Sequence, residues 1–239
     1  MSEIILNKED CFNALPPEWD DELLQSIRNQ IKESLTKIVI LDDDPTGTQT
    51  IHNLPVLTTW DVDSLKKELK NKSTAIFLEG GRFTIHNVHY VAEGNQLIPE
   101  ARTSYAQDAT FGFSHSNLCQ WVEEKTEGRI PADKVIPISL DDLRKGSPKR
   151  VKHILMEVPY KSACIVNAVS YKDIEVFVAG LLNARVNGKR FLYRTAASFV
   201  QVRIGVAPQG RLLSKTELVS DVSTGGLFVV GSYVPKTTA

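Results

Sequence analysis

Asp42, Asp43 and Asp44 are three carboxylates in a row, followed by Pro45, Thr46 and Gly47. Side by side they repel one another unless something positive neutralises them. A metal ion, a hydroxyl-rich substrate or an arginine would do so. The group closes the apolar run Ile38-Val39-Ile40-Leu41, three of whose members are β-branched, and this run predicts a buried parallel strand. In an open parallel sheet ligands bind just past the carboxyl ends of the strands. The placement therefore points to chemistry on a polyol or a phosphate. A strand that ends in a solvated acidic turn is the plain alternative, because Asp, Pro and Gly are ordinary turn residues.

The elements that must position these acids follow from the pattern of the chain. Leu23, Leu24, Ile27, Ile31 and Leu35 recur at helical spacing behind Pro16-Pro17, which predicts an amphipathic helix over 18–36. Strands are expected at 37–42, 54–58, 74–78, 135–138, 163–166, 191–193 and 227–230. Helices are expected at 63–70, 114–125 and 170–186. Gly80-Gly81 breaks the chain, and the alternation from Phe83 to Val91 around His86-Asn87 predicts a hairpin over 82–98. Strands alternating with helices give the expected fold class, α/β, with a mainly parallel sheet, helices on both faces and a projecting β-hairpin.

Composition narrows the function. The chain has 239 residues, 24% of them charged, and a formal net charge of −1 with no basic block, so nucleic acid is not the expected partner. No apolar run reaches the roughly 18 residues that cross a bilayer, and the N-terminus does not have the pattern of a secretory signal, so no membrane is expected. Cys11, Cys119 and Cys164 are scattered without metal-ligand spacing. They fit buried thiols in a reducing cytoplasm, and no metal site is expected.

The acidic segment fits two enzyme patterns. D-x-D-x-T after an apolar strand is similar to the haloacid-dehalogenase-type phosphatases. That pattern would make Asp42 the nucleophile and Asp44 the general acid, with Asp141-Asp142 as a downstream acidic pair. D-D-x-T-G, met by Asp43, Asp44, Thr46 and Gly47, belongs to a longer likeness. It continues at Glu79-Gly80-Gly81-Arg82-Phe83-Thr84 with Val88-His89-Tyr90-Val91, and at Tyr105 to Phe113 with Ser116-Asn117-Leu118. Further matches lie at Tyr193 to Val200 and from Gly225-Gly226-Leu227 to Thr238. Through these segments the chain resembles the N-terminal, substrate-binding half of the four-carbon acid sugar kinases.

The resemblance implies a kinase that phosphorylates a hydroxyl of a tetronate-type sugar acid. Asp43 and Asp44 would be catalytic. Asp42, Thr46, Gly47, Arg82, His89, Asp108, Arg194, Thr195 and Ser198 would bind the substrate. Arg82 and Arg194 follow expected strand ends and could take the carboxylate, although a surface ion pair is the commoner fate of an Arg. His89 sits in an apolar alternation, where a hydrogen-bonded structural histidine is the ordinary outcome. Asp108 could cap the turn into Phe111-Gly112-Phe113 or face the substrate. Arg194 to Ser198 read as a strand-to-helix turn, with Ser198 as helix N-cap and room for an anion.

The expected organisation is an N-terminal extension and helix over 1–36, an acid-sugar-binding domain over 37–231, and a tail over 232–239. The resemblance further implies ATP and Mg2+ for the full-length family, held by a C-terminal nucleotide-binding domain expected to lie outside this chain; a separately encoded nucleotide-binding domain could act in trans. No G-x-x-x-x-G-K-[ST] run is present. An Asn-Ser-Arg turn and a Ser-Asp-Ser-Thr-Leu-Arg-Gly segment expected before Glu79 are also missing. The chain alone is therefore expected to be inactive as a kinase, and a degenerate remnant serving as an interaction protein is a third reading.

Overall fold

The computed structural model describes residues 4–34, 82–108, 112–159, 161–207 and 214. The chain divides into two compact units, Met1–Ala207 and Pro208–Ala239. The account below concerns the first. The expected strands at 37–42, 54–58, 74–78 and 227–230, the helix at 63–70 and the acidic segment Asp42 to Gly47 lie outside the described residues.

The described part mixes helices and strands. Four strands, β1 (Leu6–Asn7), β2 (Arg82–Ile85), β3 (Val88–Glu93) and β4 (Gln96–Pro99), form an antiparallel sheet in the order β1-β4-β3-β2. Two more, β5 (Ile136–Ile138) and β6 (Cys164–Val166), form a parallel pair. Parallel pairing among the described strands is thus confined to β5 and β6, against the expected mainly parallel sheet. Connection length explains the division. Two-residue turns such as His86-Asn87 can join only antiparallel neighbours, and the parallel pair needs a crossover of helices.

The β2–β3 hairpin forms where its alternation predicts, with Thr84 opposite His89 and Ile85 opposite Val88. His86 and Asn87 both have positive φ, 50° and 68°, the left-handed conformation that two-residue hairpin turns require. The hairpin does not project. Ile85, Tyr90 and Leu97 are buried in the same apolar cluster as Ile27, Ile138, Leu143 and Leu181. Its turn is docked on Asn167, the residue just after β6. The Asn87 backbone N–H donates to Asn167 Oδ1 at 2.7 Å, and Asn167 Nδ2 donates to Asn87 Oδ1 and to the Ile138 carbonyl, each at 2.9 Å. Asn167 is only 1% exposed, so each of these bonds replaces water that cannot reach it.

Seven helices are described: α1 (Lys8–Asn13), α2 (Leu24–Glu33), α3 (Leu118–Lys125), α4 (Leu140–Arg144), α5 (Ser147–Glu157), α6 (Tyr171–Val186) and α7 (Ala197–Arg203). The helix expected over 18–36 begins only at Leu24, because its forward part is held elsewhere. Arg144 Nη1 donates to the Pro16 carbonyl, and Trp19 packs on the core. Helix α6 is apolar nearly all round and runs through the core, burying Val176, Phe177, Val178, Leu181 and Leu182. Ser170 and Asp173 form its capping box.

Helices α5 and α6 approach closely at Gly180. A Cβ there would lie 2.5 Å from Val151 Cβ and 2.7 Å from the Pro148 carbonyl oxygen. Alanine gains about 1 kcal/mol of helix propensity over glycine. Overpacking against a side-chain branch point and a backbone carbonyl costs more, about 1–3 kcal/mol. Gly180→Ala should therefore lower the urea unfolding free energy by up to about 2 kcal/mol. A variant as stable as the wild type would show that the two helices can part without loss.

Candidate functional site

Arg82 opens β2, directly after the Gly80-Gly81 break. Its Nη1 lies 2.9 Å from Glu100 Oε1, and its guanidinium stands 5.0 Å from the centre of the Tyr105 ring. Glu100 follows β4 and begins a short 3-10 turn, Glu100–Arg102. It is buried at the residue level, 7% exposed, while the Arg82 side chain keeps 33% of its surface. The pair is therefore anchored at its acidic end and open at its basic end. Glu100 fixes the direction of Arg82 but takes up part of its charge.

His89 shares this network. Its Nδ1 lies 2.7 Å from Thr84 Oγ1 across the hairpin, and its Nε2 lies 3.8 Å from Glu100 Oε2. Burial first, and the Arg82 charge second, push the imidazole pKa down to about 4. At neutral pH the ring is thus uncharged, and it serves as a hydrogen-bonding group rather than a cation. The His89 backbone N–H donates to the Ser116 carbonyl at 2.8 Å, and Ser116 Oγ accepts from the Ala101 N–H at 2.9 Å. His89 and the residue after Glu100 are thereby tied to one buried serine.

Asp108 ends the second 3-10 turn, Ser104–Gln107, which carries Tyr105. Its backbone carbonyl accepts from the Gly112 N–H at 2.9 Å.

Arg194 is exposed, and its guanidinium lies 4.9 Å from the Trp121 ring centre on α3. Among the described residues no carboxylate stands within ion-pair distance of it. An arginine laid flat on an aromatic face loses little freedom and still presents its edge for bidentate bonding. The segment 191–196 is irregular rather than the expected strand. Phe191 and Tyr193 pack against the core while Leu192 is fully exposed, and among the described residues no ladder partner holds the backbone straight. Thr195 Oγ1 donates to the Ala196 carbonyl at 3.2 Å. Ser198 is not the N-cap of α7. Ala196 occupies that position without a side-chain bond, and Ser198 lies one residue inside the helix.

Thus the structure joins Arg82 and His89 into one network with Tyr105, Thr84 and Glu100, and it places Arg194 on Trp121. Asp42, Asp43, Asp44, Thr46 and Gly47 lie outside the described residues. Glu100 and Tyr105 were not singled out from sequence. Glu100 directly follows Pro99 at the end of an apolar alternation, where a lone acid reads as a turn residue. Among the described residues no cluster of His, Cys, Asp or Glu side chains could hold a metal ion, so no step is routed through Mg2+ here. Asp141 and Asp142 are engaged otherwise, with Lys145 and Arg150. Among the described residues no helix is long and apolar enough to cross a membrane.

A family model described as a sugar-binding N-terminal domain matches residues 58–203. No curated protein and no solved structure matches the chain.

Proposed function

Because the chain belongs to the sugar-binding N-terminal domain family, we propose that it is the substrate-binding half of an ATP-dependent kinase acting on a hydroxyl of a four-carbon sugar acid. The family match over 58–203, which takes in Arg82, His89, Asp108 and the Arg194–Ser198 turn, is the observation that carries this reading. A sugar acid presents one carboxylate and several hydroxyls. Arg194, with its guanidinium 4.9 Å from the Trp121 ring centre, suits the carboxylate, with Arg82 as a second, partly neutralised cation. Neutral His89, Asp108, Thr195, Ser198, Thr46, Gly47 and Asp42 would supply hydrogen bonds to the hydroxyls. Asp43 or Asp44 would take the proton from the attacking hydroxyl. ATP and Mg2+ would be supplied on a nucleotide-binding domain.

Titration calorimetry with tetronate tests the reading. Saturable binding to the wild-type chain is expected, weakened about 10- to 100-fold in Arg194→Gln, the loss of a charge-assisted hydrogen-bonded pair. No binding at millimolar tetronate, or identical binding by the variant, would refute the assignment of the carboxylate to Arg194.

A further inference from the structure

Arg203, the last residue of α7, is only 3% exposed, yet among the described residues no carboxylate lies within ion-pair distance of it. Its Nε is buried and has no hydrogen-bond partner, and the Tyr193 hydroxyl, also buried, has no partner but the guanidinium itself. Tyr193 lies within electrostatic reach of the guanidinium, and so does Arg185 in the last turn of α6, which adds a second positive charge. Phe199 packs on Tyr193 with ring centres 5.3 Å apart, and Phe177 packs on Phe199 at 5.9 Å, so the tyrosine ring is fixed from behind.

A buried charge is normally paired, and a buried donor is normally bonded. Here one buried cation, one neighbouring cation and one hydroxyl stand together, with no acid beside them among the described residues. We infer that Arg203 and Tyr193 form a binding site for a small oxyanion, a carboxylate or a phosphate, which would accept from Arg203 Nε–H and from the Tyr193 hydroxyl. Burial of the arginine lowers its pKa, and the tyrosine beside it opposes that shift, in keeping with a site short of one negative charge. The argument stands on these residues and does not depend on the sugar-acid reading.

The test is anion-dependent stability of the full chain. Thermal unfolding is followed in chloride at fixed ionic strength, with inorganic phosphate or tetronate exchanged for chloride. At least one of the two should raise the wild-type Tm saturably. The rise should vanish in Arg203→Met and be retained in part in Arg203→Lys. Tyr193→Phe keeps the ring, folds if Arg203→Met does not, and should bind the same anion about tenfold more weakly. A response to phosphate alone marks a phosphate site, and one to tetronate alone marks the carboxylate of a hydroxy acid. Equal shifts in the wild type and in the variants, or none in the wild type, overturn the inference. A phosphate response unchanged in Arg203→Met removes this site, and tetronate binding that persists in that variant leaves the proposed function standing. A phosphate response lost in that variant, with no tetronate bound by any protein, does the reverse.

Discussion

Asp173→Ala is expected to lower the unfolding free energy by about 3–5 kcal/mol, the scale for breaking a buried ion pair from one side. Asp173 is 1% exposed and accepts four bonds: Arg144 Nε at 2.7 Å, Arg144 Nη2 at 3.0 Å, and the Val169 and Ser170 N–H groups at 2.9 and 3.1 Å. Its removal leaves a guanidinium that is itself 7% exposed with the Pro16 carbonyl and, 3.8 Å away, only the exposed Glu18 carboxylate. The loss would reach three places together: the start of α6, the end of α4 and the segment leading into α2. Denaturant unfolding measures it. The double change Arg144→Met with Asp173→Ala should recover a large part of the loss, because it removes the stranded charge. A single variant within 1 kcal/mol of the wild type would mean that the pair is solvated and the clasp is incidental.

The second large effect is a pH dependence set by His89. An unfolded histidine titrates near 6.5, and the folded ring is held at about 4. Between these values the unfolded chain binds a proton that the folded chain refuses, so folding stability falls as the pH drops from about 6.5 to about 4. The full shift is worth about 3 kcal/mol. Stability measured across this window should decline more steeply in the wild type than in His89→Asn, which keeps a polar atom near the Nδ1 position beside Thr84. Parallel curves would show that the ring accepts its proton freely and that Glu100, 3.8 Å away, pairs with it.

The sequence legibly marked those elements whose pattern is local. The β2–β3 hairpin follows from alternation and the His86-Asn87 turn, and α6 from Ser170, an unbroken apolar stretch and Asn187-Gly188. Helix α5 was missed although Pro148 marks its start and Val151, Ile154, Leu155 and Val158 recur at helical spacing. The crowded basic residues Lys149, Arg150, Lys152 and His153 disguise that face. Phe191-Leu192-Tyr193 looks like a strand on propensity, but a strand is made by its neighbours, and none among the described residues pairs with it. At the candidate site the cations Arg82 and Arg194 were legible. Their aromatic supports, Tyr105 and Trp121, were not, because each contact joins residues far apart in the chain. The burial of Arg203 was equally hidden, since an arginine at a helix end reads as solvated.

The clamp at Asn167 has a mechanical meaning for the candidate site. Arg82 and His89 ride on a hairpin pinned at its turn by one buried amide and, along β4, by β1, where the Lys8 N–H also donates to the Asn95 carbonyl at 2.9 Å. A lever fixed at both ends does not swing. The two side chains are therefore aimed before any ligand arrives, and the entropy of ordering them is lost during folding rather than on binding.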